Sequence, residues 1–238
     1  MTHMISNWRT AADTLVSDLR QVFANRLHSV VAYGRLVDGD EDSPVSCLAF
    51  VESLTASDLE ACARLAHLWH QRHLATPLIL PREEFRRSLD AFPLEYGDII
   101  GGHIRVFGPD PFEGVTIPPG DLRRACETQI KSHLLHLREG FMEAGGRPQA
   151  IASLVATSAP AFDALLRHVA RLRGDGTSAP DALALAGARA AGIDERVASE
   201  IHALERASAI PMADAARLFP QYLAAVEQLA RAVDTWHE

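Results

Sequence analysis

Apolar residues follow a mixture of patterns up to about residue 117, and after it they recur at an uninterrupted helical period. Residues 6–26 carry apolar side chains at helical spacing, which predicts an amphipathic helix. Residues 28–33 and 45–51 are short apolar runs that predict two strands, and residues 38–44, rich in Asp, Gly and Pro, predict the turn between them. The first part of the chain therefore mixes helices with buried strands.

Shorter elements follow, up to a proline-rich segment. Ser57 and Glu60 have the spacing of a capping box, which predicts a helix that runs to about residue 73. The other predicted elements are a strand at 76–80, a helix at 82–89 and extended segments at 92–100 and 103–107. Residues 108–120 carry four prolines, and we expect the boundary between two domains there.

From residue 121 onward the apolar spacing is helical throughout. One stripe advances by three or four residues at a time through Leu122, Cys126, Ile130, Leu134, Leu137 and Phe141. Further helices are predicted at residues 148–156, 161–173, 180–191, 195–207 and 212–236. Such helices pack as a bundle. The expected fold class is therefore α+β, with a mixed-sheet domain at residues 1–117 and an all-α helical bundle at residues 118–238.

Charge and composition argue against a nucleic-acid-binding protein and against a membrane protein. The net charge is −8, and residues 1–117 carry 10 arginines and 16 acidic residues. An acidic first domain argues against nucleic acid as a partner, because such binding neutralises phosphates. No apolar run approaches the roughly eighteen residues that span a bilayer, and the N-terminus lacks the pattern of a signal peptide. We expect a cytoplasmic protein without a membrane partner.

The clearest motif joins the end of the first predicted strand to the start of the second. It resembles the signature of DNA polymerase β-like nucleotidyltransferases, in which one strand ends in Gly-Ser and the next opens with Ser-Asp-x-Asp. Gly34 matches the glycine, and Ser43 matches the serine before the carboxylates. Arg35 stands where the phosphate-contacting serine belongs. Pro44 and Ser46 occupy the two aspartate positions, so the catalytic motif is degenerate.

The resemblance extends to a group of bacterial nucleotidyltransferase-like proteins with a C-terminal helical domain. It is carried by residues 92–95, 106–112 and 122–139. It implies a nucleotidyltransferase-like mixed sheet in the first domain. In the wider superfamily such helical domains help to bind the acceptor substrate, as in aminoglycoside nucleotidyltransferases.

Loss of the aspartates matters because nucleotidyl transfer in this superfamily uses two Mg²⁺ ions held by carboxylates. Proline offers no ligand, and a serine hydroxyl is neutral. A third family carboxylate usually lies on the next core strand, predicted at residues 76–80, and no acid is found there. The chain therefore keeps the outline of the motif without its metal ligands.

Several residues remain candidates for binding or chemistry. The ligand-binding candidates are Gly34, Arg35, Ser43 and Ser46. The turn at Gly34 and the Arg35 guanidinium suit a phosphate; the alternative is a simple turn glycine beside a solvated arginine. Glu95 and Asp98, on the extended segment after Pro93, are candidates for a base or metal ligand; the alternative is an edge that faces solvent.

Two other patterns favour ordinary structural roles. The acids of residues 38–42 alternate like the start of an EF-hand loop, but that pattern fails at Ser43 and Ala49. Histidines recur at intervals of three at His67, His70 and His73, and again at His133 and His136. Zinc sites need more converging ligands than either set offers.

The leading hypothesis is a pseudoenzyme: a nucleotidyltransferase-fold protein that binds a nucleotide or another anion, or acts as a regulatory module, in a cleft between the domains. The alternative is an active nucleotidyltransferase that modifies a small molecule or a protein, with metal held by Glu95, Asp98 or the acids of residues 38–42. A third hypothesis is a structural partner subunit. No cofactor is expected under the first hypothesis, and Mg²⁺ only under the second. The expected partners are a nucleotide or phosphorylated small molecule, and a protein or a second copy of the chain.

Overall fold

A computed structural model describes residues 5–34, 43–175, 180–204 and 209–236. The chain divides into two units, Met1–Ile117 and Pro118–Glu238. The first unit combines a sheet with helices. Its elements are α1 (Ile5–Phe23), β1 (Leu27–Tyr33), β2 (Ser46–Val51), α2 (Ala56–Ala63), α3 (Ala66–Gln71), β3 (Leu78–Pro81), α4 (Arg82–Arg87), α5 (Pro93–Gly101) and β4 (Ile104–Phe107).

The four strands form one mixed sheet in the order β3-β2-β1-β4. Strand β1 runs antiparallel to β2 and β4, and β2 runs parallel to β3. Because side chains alternate along a strand, each central strand buries one set of residues on either face. One face, with Ala32 and Ala49, packs on α1, α2 and α3 through residues such as Leu19 and Trp69.

The opposite face of the sheet carries an aromatic core. Leu48 and Phe50 of β2 pack there with Phe85 of α4, Tyr96 of α5 and Phe112. Edge-to-face ring pairs hold this core together, with centroids 5.1 Å apart for Phe50 and Phe85 and 4.7 Å apart for Phe85 and Tyr96. We call this cluster the aromatic core.

The extended segment predicted at residues 92–100 is wrong: the structure has helix α5 there. Pro93 occupies the first turn of that helix, where its missing N–H is not needed. Tyr96 and Ile99, three residues apart, turn towards the aromatic core. Ile99 and Ile100 are β-branched and locally favour a strand, but burial of one helical face prevails over that preference.

Helix α2 also begins differently from the prediction. Its N-cap is Thr55, whose hydroxyl accepts a hydrogen bond from the Asp58 N–H, while the Asp58 carboxylate accepts one from the Thr55 N–H. The Arg26 guanidinium makes a two-bond pair with the Asp58 carboxylate, at 2.7 and 2.9 Å. These bonds, together with the Thr55 hydroxyl, hold the pKa of Asp58 well below its usual range. The Ser57–Glu60 pairing is therefore not the capping box.

The second unit is helical throughout its described residues. It contains α6 (Pro119–Ala144), α7 (Pro148–Leu172), α8 (Pro180–Ala190), α9 (Glu195–Ala203) and α10 (Met212–Thr235). The predicted break between 156 and 161 is wrong, because α7 continues through Pro160. A proline removes one backbone hydrogen bond, whereas the continuous helix buries Ala159 and Phe162 on either side. The α+β class is confirmed.

Among the described residues, one helix, α7, has the length and apolar composition that a membrane-spanning helix needs. It packs against α6, α8 and α10. Its buried residues include Asp163 and His168 among the apolar ones.

Candidate functional site

The structure brings the two halves of the degenerate motif together at one end of the sheet. Gly34 follows β1 with a φ of +87°, a conformation that favours glycine. A Cβ atom placed at Gly34 would lie 3.9 Å from both Cβ and Oγ of Ser46. Tyr33 is directly opposite Ser46 in the β1–β2 register. Gly34 and Ser46 are therefore neighbours, as the resemblance implies.

Backbone hydrogen bonds hold the start of β2 in position. The Val45 N–H donates to the His73 carbonyl, and the Val45 carbonyl accepts from the Ala75 N–H, both at 2.9 Å. Ser43 and Ser46 are half-buried, and Pro44 is exposed. With Val45 fixed on both sides, the Ser46 side chain has a defined place on the sheet.

The motif end of β2 carries Pro44 and Ser46 where the resemblance leads one to expect carboxylates. Ser46 shares its face of β2 with Leu48 and Phe50, since side chains alternate. Across the parallel pair, Leu48 and Phe50 stand beside Leu78 and Leu80 of β3. Within residues 5–34, 43–175, 180–204 and 209–236, no group of three or more His, Cys, Asp or Glu side chains is arranged to hold a metal ion.

Two hydroxyl groups lie on this face at the motif end. Side chains of directly opposed residues project to the same face, so Tyr33 and Ser46 form a pair, and the Tyr33 ring packs against the aromatic core. In the described part of the chain neither hydroxyl has a hydrogen-bond partner. No buried side-chain nitrogen or oxygen there lacks a partner. Both hydroxyls are therefore reachable by solvent.

Burial favours the neutral forms of Tyr33 and of the neighbouring Cys47. Loss of solvation, followed by the nearby Cys47, raises the pKa of Tyr33. Burial raises the pKa of the Cys47 thiol to about 12. At neutral pH Tyr33 therefore keeps its proton and can donate a hydrogen bond, and Cys47 is an unreactive thiol.

Glu95 and Asp98 lie on α5, not on a strand. Glu95 is exposed and Asp98 is half-buried, while the intervening Tyr96 faces the aromatic core. Arg35 and the acids of residues 38–42 lie outside the described residues. Of the four ligand-binding candidates, Gly34 and Ser46 are neighbours in the structure. Ser43 lies just before the start of β2, and Arg35 is outside the described residues.

The histidines of each series contact different partners in the structure. His67 and His70 lie on α3, but His73 follows the helix with a φ of +61°, and His70 Nε2 is 3.0 Å from the Thr76 hydroxyl. On α6, His133 Nε2 is 2.8 Å from the Tyr222 hydroxyl. His136 Nδ1 instead donates to a backbone carbonyl.

The helical unit holds a polar cluster that sequence reasoning missed. Asp163 of α7 is fully buried. One of its oxygens accepts from His202 Nδ1 at 2.7 Å, and the other pairs with Arg167. His202 Nε2 is 3.1 Å from an Asp181 oxygen. The sequence signal for this cluster was an acid, Asp163, within the apolar stripe of α7. Its partner His202 is 39 residues away in the sequence, so local spacing could not identify it.

Comparison with solved structures shows the fold. The chain is similar to a spectinomycin adenyltransferase from Enterococcus faecialis, solved with ATP and spectinomycin. The TM-score is 0.57 at 13% sequence identity, and the match covers 95% of this chain and 99% of the other. No family model and no curated protein matches the sequence. The likeness confirms a nucleotidyltransferase fold that extends over both parts of the chain.

Proposed function

We propose that this nucleotidyltransferase-fold chain binds a nucleotide or a related phosphorylated small molecule at the Gly34–Ser46 end of its sheet, without divalent metal and without nucleotidyl transfer. The observation that carries the proposal is the retained pairing of Gly34 with Ser46, with serine in place of the carboxylate. The similar solved structure contains ATP and a small molecule, which supports a ligand of this class.

Electrostatics explain why such binding needs no metal. In an active enzyme the aspartates and the phosphates are both negative, and Mg²⁺ offsets the repulsion between them. Pro44 and Ser46 remove that repulsion. The turn at Gly34 still presents backbone groups, and Arg35 follows it in the sequence with a guanidinium suited to phosphate.

Ser46 offers a direct test with a matched control. Ser46→Asp restores one negative charge at this position. Ser46→Asn is the matched control, because asparagine has almost the same shape as aspartate but carries no charge. Thermal melting would be followed with adenosine mono-, di- and triphosphate, in EDTA and in Mg²⁺. For the wild type we expect a rise in Tm in EDTA; at 100 times Kd a ligand stabilises by about 2.7 kcal/mol, at roughly 2–4 °C per kcal/mol.

The Ser46→Asp variant should lose the shift in EDTA, whereas Ser46→Asn should keep a larger part of it. A wild-type shift that needs Mg²⁺, or none with any nucleotide, contradicts the proposal. Transfer of a labelled nucleotide to an acceptor, abolished by Glu95→Ala or Asp98→Ala, would establish the active enzyme instead.

A further inference from the structure

Tyr33 is a polar residue next to the motif that the superfamily signature does not use. It is the last residue of β1, immediately before Gly34 and opposite Ser46. Its ring packs on the aromatic core, which fixes the side chain. Its hydroxyl has no partner within the described chain and is open to solvent. A fixed, neutral donor with no protein acceptor is available to a ligand.

We infer that the Tyr33 and Ser46 hydroxyls form a donor pair that selects a nucleoside monophosphate over the corresponding triphosphate. This inference rests on the proposed function and names its ligand class. Each hydroxyl donates one hydrogen bond to a phosphate oxygen, and no bond is made or broken.

The selectivity follows from charge. Two hydroxyls supply hydrogen bonds but no positive charge, so they cannot offset the additional charge of a triphosphate as Mg²⁺ does. The first unit is also acidic as a whole, since residues 1–117 have six more acids than arginines. Beyond the two hydroxyls and the single Arg35 guanidinium of the proposed function, each further phosphate therefore adds repulsion without adding a donor.

Calorimetric titration of the full chain in EDTA tests the inference. The titrants are AMP, ADP and ATP, and the proteins are the wild type, Tyr33→Phe and Tyr96→Phe. Tyr33→Phe keeps the ring and removes only the hydroxyl, so thermal melting without ligand should be unchanged. Tyr96→Phe is the matched control, because the Tyr96 hydroxyl is 3.1 Å from Ser88 Oγ and is already bonded.

We expect the wild type to bind AMP more tightly than ATP. Tyr33→Phe should weaken AMP binding at least about tenfold, since a hydrogen bond to a charged group is lost, and Tyr96→Phe should not. Equal AMP affinity in the wild type and Tyr33→Phe, or tighter ATP binding in EDTA, overturns the inference but leaves the proposed site standing. Absence of binding by all three nucleotides to the wild type overturns both.

Discussion

His133 is a half-buried histidine whose neutral form is part of the helical core. Its ring stacks on Phe162 with centroids 6.0 Å apart, and its Nε2 shares a hydrogen bond with Tyr222. Burial, and to a smaller extent the neighbouring His136, lowers the pKa of His133 to about 4. A proton added to this ring in the folded protein would place a charge inside the packed helices.

We therefore expect acid to weaken the helical unit. The unfolded chain protonates this histidine near its ordinary pKa of about 6.5, so between that pH and about 4 the unfolded state binds more protons. The stabilisation is complete above about pH 6.5, and roughly 2–3 kcal/mol of it is lost as the pH falls to about 4.

Urea midpoints at about pH 7.5 and about pH 4.5 measure this effect. The difference between the two pH values should shrink in His133→Gln. Most of it should remain in His136→Gln, because that exposed histidine makes the smaller contribution to the lowered pKa of His133. The same pH dependence in all three proteins would show that His133 is not the source.

At the scale of elements, two glycines mark close approaches between helices. A Cβ atom at Gly187 of α8 would overlap the Leu166 carbonyl oxygen of α7, which is backbone. At Gly140 of α6 the atom in the way is Leu154 Cδ1, at 2.7 Å. A side-chain end can rotate aside, whereas a backbone carbonyl in a packed helix cannot.

Gly187→Ala should therefore destabilise the protein by about 1–3 kcal/mol or more through overpacking. Gly140→Ala should be nearly neutral, because alanine also favours the helix by about 0.5–1 kcal/mol. Chemical denaturation of both variants gives the comparison. Equal losses would mean that α7 and α8 separate readily at this crossing.

The start of α2 gives a second prediction at this scale. Thr55→Ala removes the hydroxyl that accepts from the Asp58 N–H and should cost about 1 kcal/mol. Ser57→Ala removes a hydroxyl whose hydrogen-bond partner among the described residues is the Thr55 side chain, at 2.9 Å, and should cost much less. A larger loss for Ser57→Ala, measured by urea unfolding, would return the cap to the position that sequence spacing indicated.

For the whole molecule, sequence periodicity predicted the helices and strands whose formation depends on the local apolar pattern. Helix α1 and strands β1 and β2 follow from their own apolar spacing, and the neighbouring positions of Gly34 and Ser46 followed from the family resemblance. Helix α5 was missed because its helical character comes from burial on the aromatic core. The Asp163–His202 contact joins residues far apart in sequence, and no period along the chain encodes such a pair.

The hydrogen bonds that anchor Val45 also govern which insertions and deletions this chain tolerates. A strand shifted by one residue exchanges its two faces. One residue added between Val45 and Ser46 would move the Ser46 side chain to the face of the sheet that packs on α1, α2 and α3. The added residue would then take the place of Ser46 on the motif face. An addition before Val45 leaves the register of β2 intact. The register argument therefore tolerates added residues before Val45 and excludes them within β2.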